Sequence, residues 1–251
     1  MKREKMRLAL ELKEALLEVY DPEAIILFGS LGRGDADEFS DVDLLLVIET
    51  DRDVEDLSKE MSGYLDPLSK NKHVIVRTPR DFCRQRDIPG TIVFSAARSG
   101  KFLFDKKGWR TRHEPTDSYE TRKQEVILQD YVQSAYDFLA RAESSFQKRN
   151  FFRCRDFTRF AAVRAIKGLF VQHDIHPPRE TDLVRLVNKA TELAPGLVRH
   201  IGFMRELNGY RPGKADTLED LRSRRMVERT AAFIRELASD LGDRQQTFSR
   251  V

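Results

Sequence analysis

The sequence predicts an α+β fold: a small mixed-sheet domain over residues 1–108, followed by an all-α, up-and-down helical bundle over residues 118–245. Three observations lead there. Two apolar runs of strand length, Ala24 to Phe28 and Val42 to Ile48, bracket a glycine-rich break in the first half. Between Asp105 and Ser118 the composition shifts, and Gly108, Trp109, Arg110, Arg112, His113 and Pro115 interrupt any periodicity. Beyond that point, apolar residues recur at helical steps through long segments joined by short links.

Taken in order, Arg3 to Tyr20 is an amphipathic helix with Leu8, Leu12, Ala15, Leu16 and Val19 on one face. Asp21-Pro22 ends it, because a residue before proline avoids the helical region. Ala24 to Phe28 is a buried strand that runs into Gly29-Ser30, and a short helix begins near Leu31. Asp35 to Glu38 is a surface loop, and Val42 to Ile48 is a second strand with Asp41 and Asp43 at its mouth. Val54 to Tyr64 is a helix and His73 to Val76 a third strand. Thr78 then caps a helix with Pro79 in its first turn. Thr91 to Arg98 is a short helix, ended by Ser99-Gly100, and Lys101 to Phe104 is a fourth strand at the sheet edge. Trp109 is read as an aromatic buried between the domains, the alternative being a surface that stacks on a base.

In the second half, Tyr119 to Gln147 places Ile127, Tyr131, Ala135, Phe138, Ala142 and Phe146 on one helical stripe. Phe151 to His173 is apolar around much of its circumference and so central, with Phe157, Phe160 and Phe170 in the core. Helices over Thr181 to Leu193, Leu197 to Leu207 and Thr217 to Leu241 complete the bundle, with Pro177-Pro178 and Pro195-Gly196 at the turns.

Composition bounds the function. Of 251 residues, 40% are hydrophobic and 34% charged, which is the balance of a globular chain rather than a disordered one. With 44 basic and 41 acidic residues the net charge is only +3, so a nucleic-acid partner is possible but not favoured. Cys83 and Cys154 lie far apart without metal-site spacing and read as reduced thiols of a cytoplasmic protein. The charged start, Met1-Lys2-Arg3-Glu4-Lys5, and the lack of a long apolar stretch predict no signal peptide and no membrane partner.

The chemistry concentrates in Phe28-Gly29-Ser30-Leu31-Gly32-Arg33-Gly34 and Ser40-Asp41-Val42-Asp43-Leu44. Side chains alternate along a strand, so Asp41 and Asp43 project from the same face. Two carboxylates side by side repel each other unless a cation sits between them. Hard oxygen ligands at this spacing suit Mg²⁺, which takes one or two carboxylates together with substrate phosphates. A Gly29-Ser30 turn feeding a helix offers backbone N–H groups and a hydroxyl to a phosphate. Arg33 is either a phosphate contact or a solvated helix arginine.

Gly29-Ser30, then Arg33-Gly34, then Ser40-Asp41-x-Asp43-Leu44, resemble in that order the signature of the DNA polymerase β-like nucleotidyltransferase superfamily. The likeness is greatest to its minimal branch and covers roughly Glu23 to Phe104. The resemblance implies Mg²⁺-dependent transfer of a nucleoside monophosphate, AMP from ATP or its counterpart from another NTP, to a hydroxyl of a small molecule or protein. It implies Asp41 and Asp43 as metal ligands and catalytic residues, and nucleotide contacts at Gly29, Ser30, Arg33, Gly34 and Ser40. Members of the family carry a third carboxylate on the third strand. Matching Val74-Ile75-Val76-Arg77-Thr78-Pro79 to that strand puts His73 at its place, a departure. Three readings of His73 stay open: a general base for the acceptor hydroxyl, a neighbour of the metal with no catalytic task, or a strand-end histidine facing solvent. Asp66 and Asp81 are further sources of the missing carboxylate. The alternative function is a catalytically impaired, nucleotide-binding regulator of toxin–antitoxin type.

The second half resembles the HEPN family, through Ala165-Ile166-Lys167-Gly168-Leu169-Phe170, Thr181-Asp182-Leu183 and Tyr210-Arg211-Pro212. Ribonuclease members of that family use an arginine and a histidine a few residues apart. Here Arg205 is followed through Arg211 by no histidine, and Arg164 stands too far from His173, so this half is not read as a ribonuclease. It is expected to shape one wall of the nucleotide cleft, hold the acceptor, or form a homodimer. Arg222-Ser223-Arg224-Arg225 is either a phosphate contact or a solvated helix face.

Overall fold

The computed structural model describes residues 2–109, 117–213 and 217–242. The loop residues Arg110, Arg112, His113 and Pro115, and the end of the predicted bundle at 243–245, lie outside the described residues. The chain divides into two compact units, Met1–Arg122 and Lys123–Val251.

In the first unit, α1 (Lys2–Val19) buries Leu12 and Leu16 of the predicted face together with Ala9, and half-buries Leu8 and Ala15, while Val19, assigned to the same face, is 55% exposed at the helix end. Next come β1 (Ala24–Phe28), α2 (Gly29–Arg33), β2 (Val42–Val47), α3 (Val54–Tyr64) and β3 (Lys72–Arg77). They are followed by α4 (Pro79–Gln85), α5 (Ile92–Ser99) and β4 (Lys101–Asp105). Local chemistry sets the helix starts: the side chains of Asp53, Thr78 and Thr91 accept backbone N–H bonds in the first turns of α3, α4 and α5. The sheet runs β3-β2-β1-β4 and is mixed. β1 pairs antiparallel with both β2 and β4, while β2 and β3 pair in parallel, with α3 as the crossover.

Helices cover both faces of this sheet, which is why β1 and the part of β2 beyond Asp43 read as continuous apolar runs. Ile25, Leu27, Leu44, Leu46, Val74 and Val76 pack under α1 and α3. Ile26, Phe28, Leu45, Val47 and Ile75 pack on the opposite face with Phe82, Val93 and Trp109. Trp109 is 1% exposed and edge-on to Phe82, with ring centroids 5.1 Å apart. It is therefore packed in the core of the first unit and is not a surface for stacking on a base. The turn Lys106–Gly108, with Lys107 at φ 50° and Gly108 at φ 69°, brings it back onto the sheet, a step no local pattern announces.

At the start of β3, the Lys72 side chain is buried and its ammonium lies 2.7 Å from Asp66, which also accepts from Lys70 at 2.7 Å. Hydrogen bonds from these two lysines lower the Asp66 carboxyl from 3.8 to about 2. A carboxyl depressed on folding contributes stability that is full above its unfolded pKa and is lost as pH falls through its folded value. The urea midpoint of the wild type should therefore exceed that of Asp66→Asn at neutral pH, and the gap should close between about pH 4 and pH 2. A gap constant down to pH 2 would remove this pair from the stability of the unit.

The second unit is helical. It takes in α6 (Tyr119–Val126, from just before the division), a π-helical segment (Ile127–Gln133), α7 (Ser134–Gln147), α8 (Phe151–Gln172), α9 (Leu183–Ala190), a 3₁₀ turn (Pro195–His200), α10 (Ile201–Gly209) and α11 (Thr217–Gly242). α8 is the central helix, as its composition predicts, and packs on α7, α11 and α9. The sequence reads Tyr119 to Gln147 as one regular helix; the structure interrupts it with the π segment. That segment buries Tyr131 against α8, where a Cβ on Gly168 would come within 3.2 Å of it. Of the three phenylalanines assigned to the core, Phe170 is buried and Phe157 partly so. Phe160 is 48% exposed and lies against Phe138 with centroids 5.6 Å apart. Cys83 and Cys154 are both buried and form no disulfide. Among the described residues, no helix is long and apolar enough to cross a membrane.

Candidate active site

The site lies in the first unit, at the end of the sheet where β1 passes into α2 and β2 begins. Strand register assembles it. Phe28 pairs with Asp43 across the antiparallel β1/β2 ladder, and Asp43 pairs with His73 across the parallel β2/β3 ladder. The chain leaves β1 through Gly29 at φ +65°, a left-handed conformation that glycine takes at little steric cost. The missing side chain also makes room: a Cβ on Gly29 would fall 1.9 Å from Oδ2 of Asp43. The Asp43 carboxylate thus rests directly over the backbone at the start of α2.

Gly32, to which no sequence motif assigns a role, permits a second close approach. A Cβ there would stand 2.7 Å from the Leu27 carbonyl oxygen, so α2 lies down on β1 only with glycine at that point. Ser30 is half-buried in the first turn of α2, and its carbonyl accepts the N–H groups of Gly34 (2.9 Å) and Asp35 (3.0 Å). Gly34, at φ 92°, is the left-handed cap that ends α2. Arg33 donates through Nε to Asp35 at 3.3 Å.

Asp41 is exposed just before β2 and Asp43 is partly buried near its start, close enough for the charge of one to act on the other. Burial pushes the Asp43 carboxyl above its ordinary value and the charge of Asp41 adds to this; the His73 imidazole and the Arg33 guanidinium pull the other way. His73 presents Nδ1 at 3.7 Å from Asp43 Oδ1, and its ring is 63% exposed. The other two carboxylates near β3 are used elsewhere. Asp66 neutralises Lys72, whose side chain takes the alternate direction to His73 on β3. Asp81 accepts from Thr78 Oγ1 (2.9 Å) and Arg84 (3.4 Å) within the α4 cap.

The loop leading to Asp41 is held in a way the sequence does not announce. Lys5, from α1, donates to the carbonyls of Asp37 (2.6 Å), Glu38 (2.9 Å) and Ser40 (2.6 Å). The Ser40 hydroxyl donates to Asp37 Oδ1 (2.7 Å) and accepts the Asp37 N–H (3.0 Å), so it shapes this loop. Lys5 carried no motif, and only the close approach of the helix start to the loop identifies it.

Residues 11–108 match the polymerase beta nucleotidyltransferase family. The nucleotidyltransferase domain therefore takes in all four strands, from late α1 to the turn after β4. Among solved structures, the chain is similar to the spectinomycin adenyltransferase of Enterococcus faecialis, solved with ATP and spectinomycin. Identity is 12% over 91% of this chain and 99% of that one, with a TM-score of 0.45. It is also similar to a nucleotidyltransferase-like protein from Exiguobacterium sibiricum, at 12% identity over 92% of this chain and 77% of that one, with a TM-score of 0.43. No curated protein matches the chain.

The donor set of the nucleotidyltransferase domain fits a hard cation in company with phosphates. Among the described residues, no three His, Cys, Asp or Glu side chains gather into a closed metal cluster. A pair of carboxylates, one of them partly buried and destabilised by its own charge, is what Mg²⁺ uses when the substrate supplies the remaining oxygens.

Proposed function

We propose that the nucleotidyltransferase domain moves AMP from ATP to a hydroxyl of an acceptor, a small molecule or a protein side chain. The observation that carries this reading is the Asp43 carboxylate resting over Gly29, with Asp41 beside it and the first turn of α2 beneath. The backbone N–H groups at Gly29 and Ser30 take the terminal phosphates, and Arg33 adds positive charge at the edge of the site. Asp41 and Asp43 would hold Mg²⁺, which would supply charge neutralisation for the triphosphate and the leaving pyrophosphate. The acceptor oxygen forms a bond to the α-phosphorus as the bond to the pyrophosphate oxygen breaks. The hydroxyl proton passes to the exposed imidazole of His73. Much of the rate then comes from alignment, which the clamped loop before Asp41 and the tight α2/β1 contact maintain. In this reading the helical unit is HEPN-like and does not cleave RNA.

Purified protein incubated with Mg²⁺, α-labelled ATP and a panel of hydroxylated small molecules and proteins should transfer label to an acceptor. His73→Ala should lower that turnover about a hundred-fold or more while leaving the Kd for ATP within a few-fold. One observation favours a second reading: Asp43 faces an imidazole on β3 where a carboxylate would complete the metal ligands. Under that reading the domain binds Mg²⁺ and ATP as a regulator of toxin–antitoxin type and transfers nothing. Tight, Mg²⁺-dependent ATP binding without transfer to any acceptor, in wild type and His73→Ala alike, would decide for it.

A further inference from the structure

Arg205 and Arg211, at the two ends of the segment that lacks the ribonuclease histidine, and Arg222, from the arginine-rich run of α11, line one cavity in the second unit. The cavity has a volume of about 590 Å³, and Glu206, Tyr210, Met226 and two glycines, Gly202 and Gly209, complete its wall. Guanidinium groups keep their charge at any working pH, so three of them around one space repel each other unless an anion lies between them. Glu206 does not supply that anion, because its carboxylate is held by Arg229. Among the described residues, none of the three arginines is paired with a carboxylate. Arg224, in the same run, instead lies over the Phe146 ring, 5.2 Å from its centroid.

The wall is built rather than loose. Arg211 Nη1 donates to the carbonyls of Asn208 (3.2 Å) and Tyr210 (3.1 Å), which fixes the guanidinium while leaving its other N–H groups available. The Tyr210 hydroxyl bonds to the buried Glu219 and to Ser223 (2.7 Å), and the Gly213 N–H donates to Glu219 at 3.0 Å. The chain leaving α10 is thereby tied to α11. Three arginines lining one pocket of small-molecule size, rather than a stripe, favour a compact ligand over a nucleic-acid strand. We infer that this cavity binds a small anion carrying two or more phosphate groups, through bidentate contacts from Arg205, Arg211 and Arg222. The inference is independent of nucleotide transfer in the first unit.

The test is calorimetric titration of the full chain with inorganic pyrophosphate in EDTA, a condition that silences a metal-dependent nucleotide site. Saturable binding is expected that weakens as salt is raised and falls about ten-fold or more in Arg205→Gln/Arg222→Gln, with little change in Arg225→Ala. Glutamine keeps much of the arginine stem, and an unchanged circular dichroism spectrum shows that the variant folds. Arg211→Lys should also bind more weakly, because an ammonium cannot make the paired contact. The inference is overturned if pyrophosphate does not saturate the wild type, or binds the double variant equally well. A single-stranded RNA oligomer that binds through these arginines where pyrophosphate does not would replace the small ligand with a nucleic acid.

Discussion

Replacing Asp41 and Asp43 together by alanine should abolish label transfer from ATP, a loss of about a thousand-fold or more in turnover, and with it Mg²⁺-dependent ATP binding. The same change should not unfold the domain. Burial and the neighbouring Asp41 charge raise the Asp43 carboxyl on folding. A carboxyl raised in this way contributes stability below its unfolded pKa that is lost as pH rises through its folded one, so at neutral pH the ionised Asp43 works against the fold. Asp43→Asn should therefore melt at a higher temperature than the wild type at pH 7, and that advantage should shrink as the pH is lowered toward 4. An inactive variant that is more stable than its parent marks a residue kept for chemistry rather than for packing. If the double variant still bound ATP in a Mg²⁺-dependent way, the site would have to lie elsewhere in the chain.

Gly29→Ala should have the second largest effect, and for a steric reason. The added methyl carbon would sit 1.9 Å from Asp43 Oδ2, and the flexible carboxylate is the group that gives way. The left-handed backbone at φ +65° adds strain of about 1–2 kcal/mol for a residue with a side chain. A displacement of an ångström at an aligned carboxylate is worth about a hundred-fold in rate, so turnover should fall by about that much while the unit stays folded at room temperature. Measuring kcat and the melting temperature on one preparation separates the two effects. Full activity in Gly29→Ala would show that the close contact between Gly29 and Asp43 is not needed for catalysis.

Much of this molecule is legible one segment at a time. The apolar runs at β1 and β2 and the cap at Thr78 depend on residues a few positions apart. Composition alone marks α8 as the central helix. The same local logic mistakes Tyr119–Gln147 for a regular helix, because one π turn shifts the stripe without breaking it. It also buries Phe160, since apolar character does not tell a helix which of its faces a neighbour covers.

Relations between distant segments belong to the tertiary structure. His73 meets Asp43 only because β2 and β3 pair in parallel in one particular register across α3. Lys5 grips a loop more than thirty residues away, Trp109 turns back into the sheet, and Asp66 is taken up by Lys72 instead of joining the site. Arg205, Arg211 and Arg222 share a cavity through the packing of α10 on its surroundings and the tie from Tyr210 and Gly213 to Glu219. Strand identity and side-chain direction are properties of neighbouring residues; strand register and helix packing are set by the burial of surfaces contributed by the whole unit, and that part of the site became visible only in the folded chain.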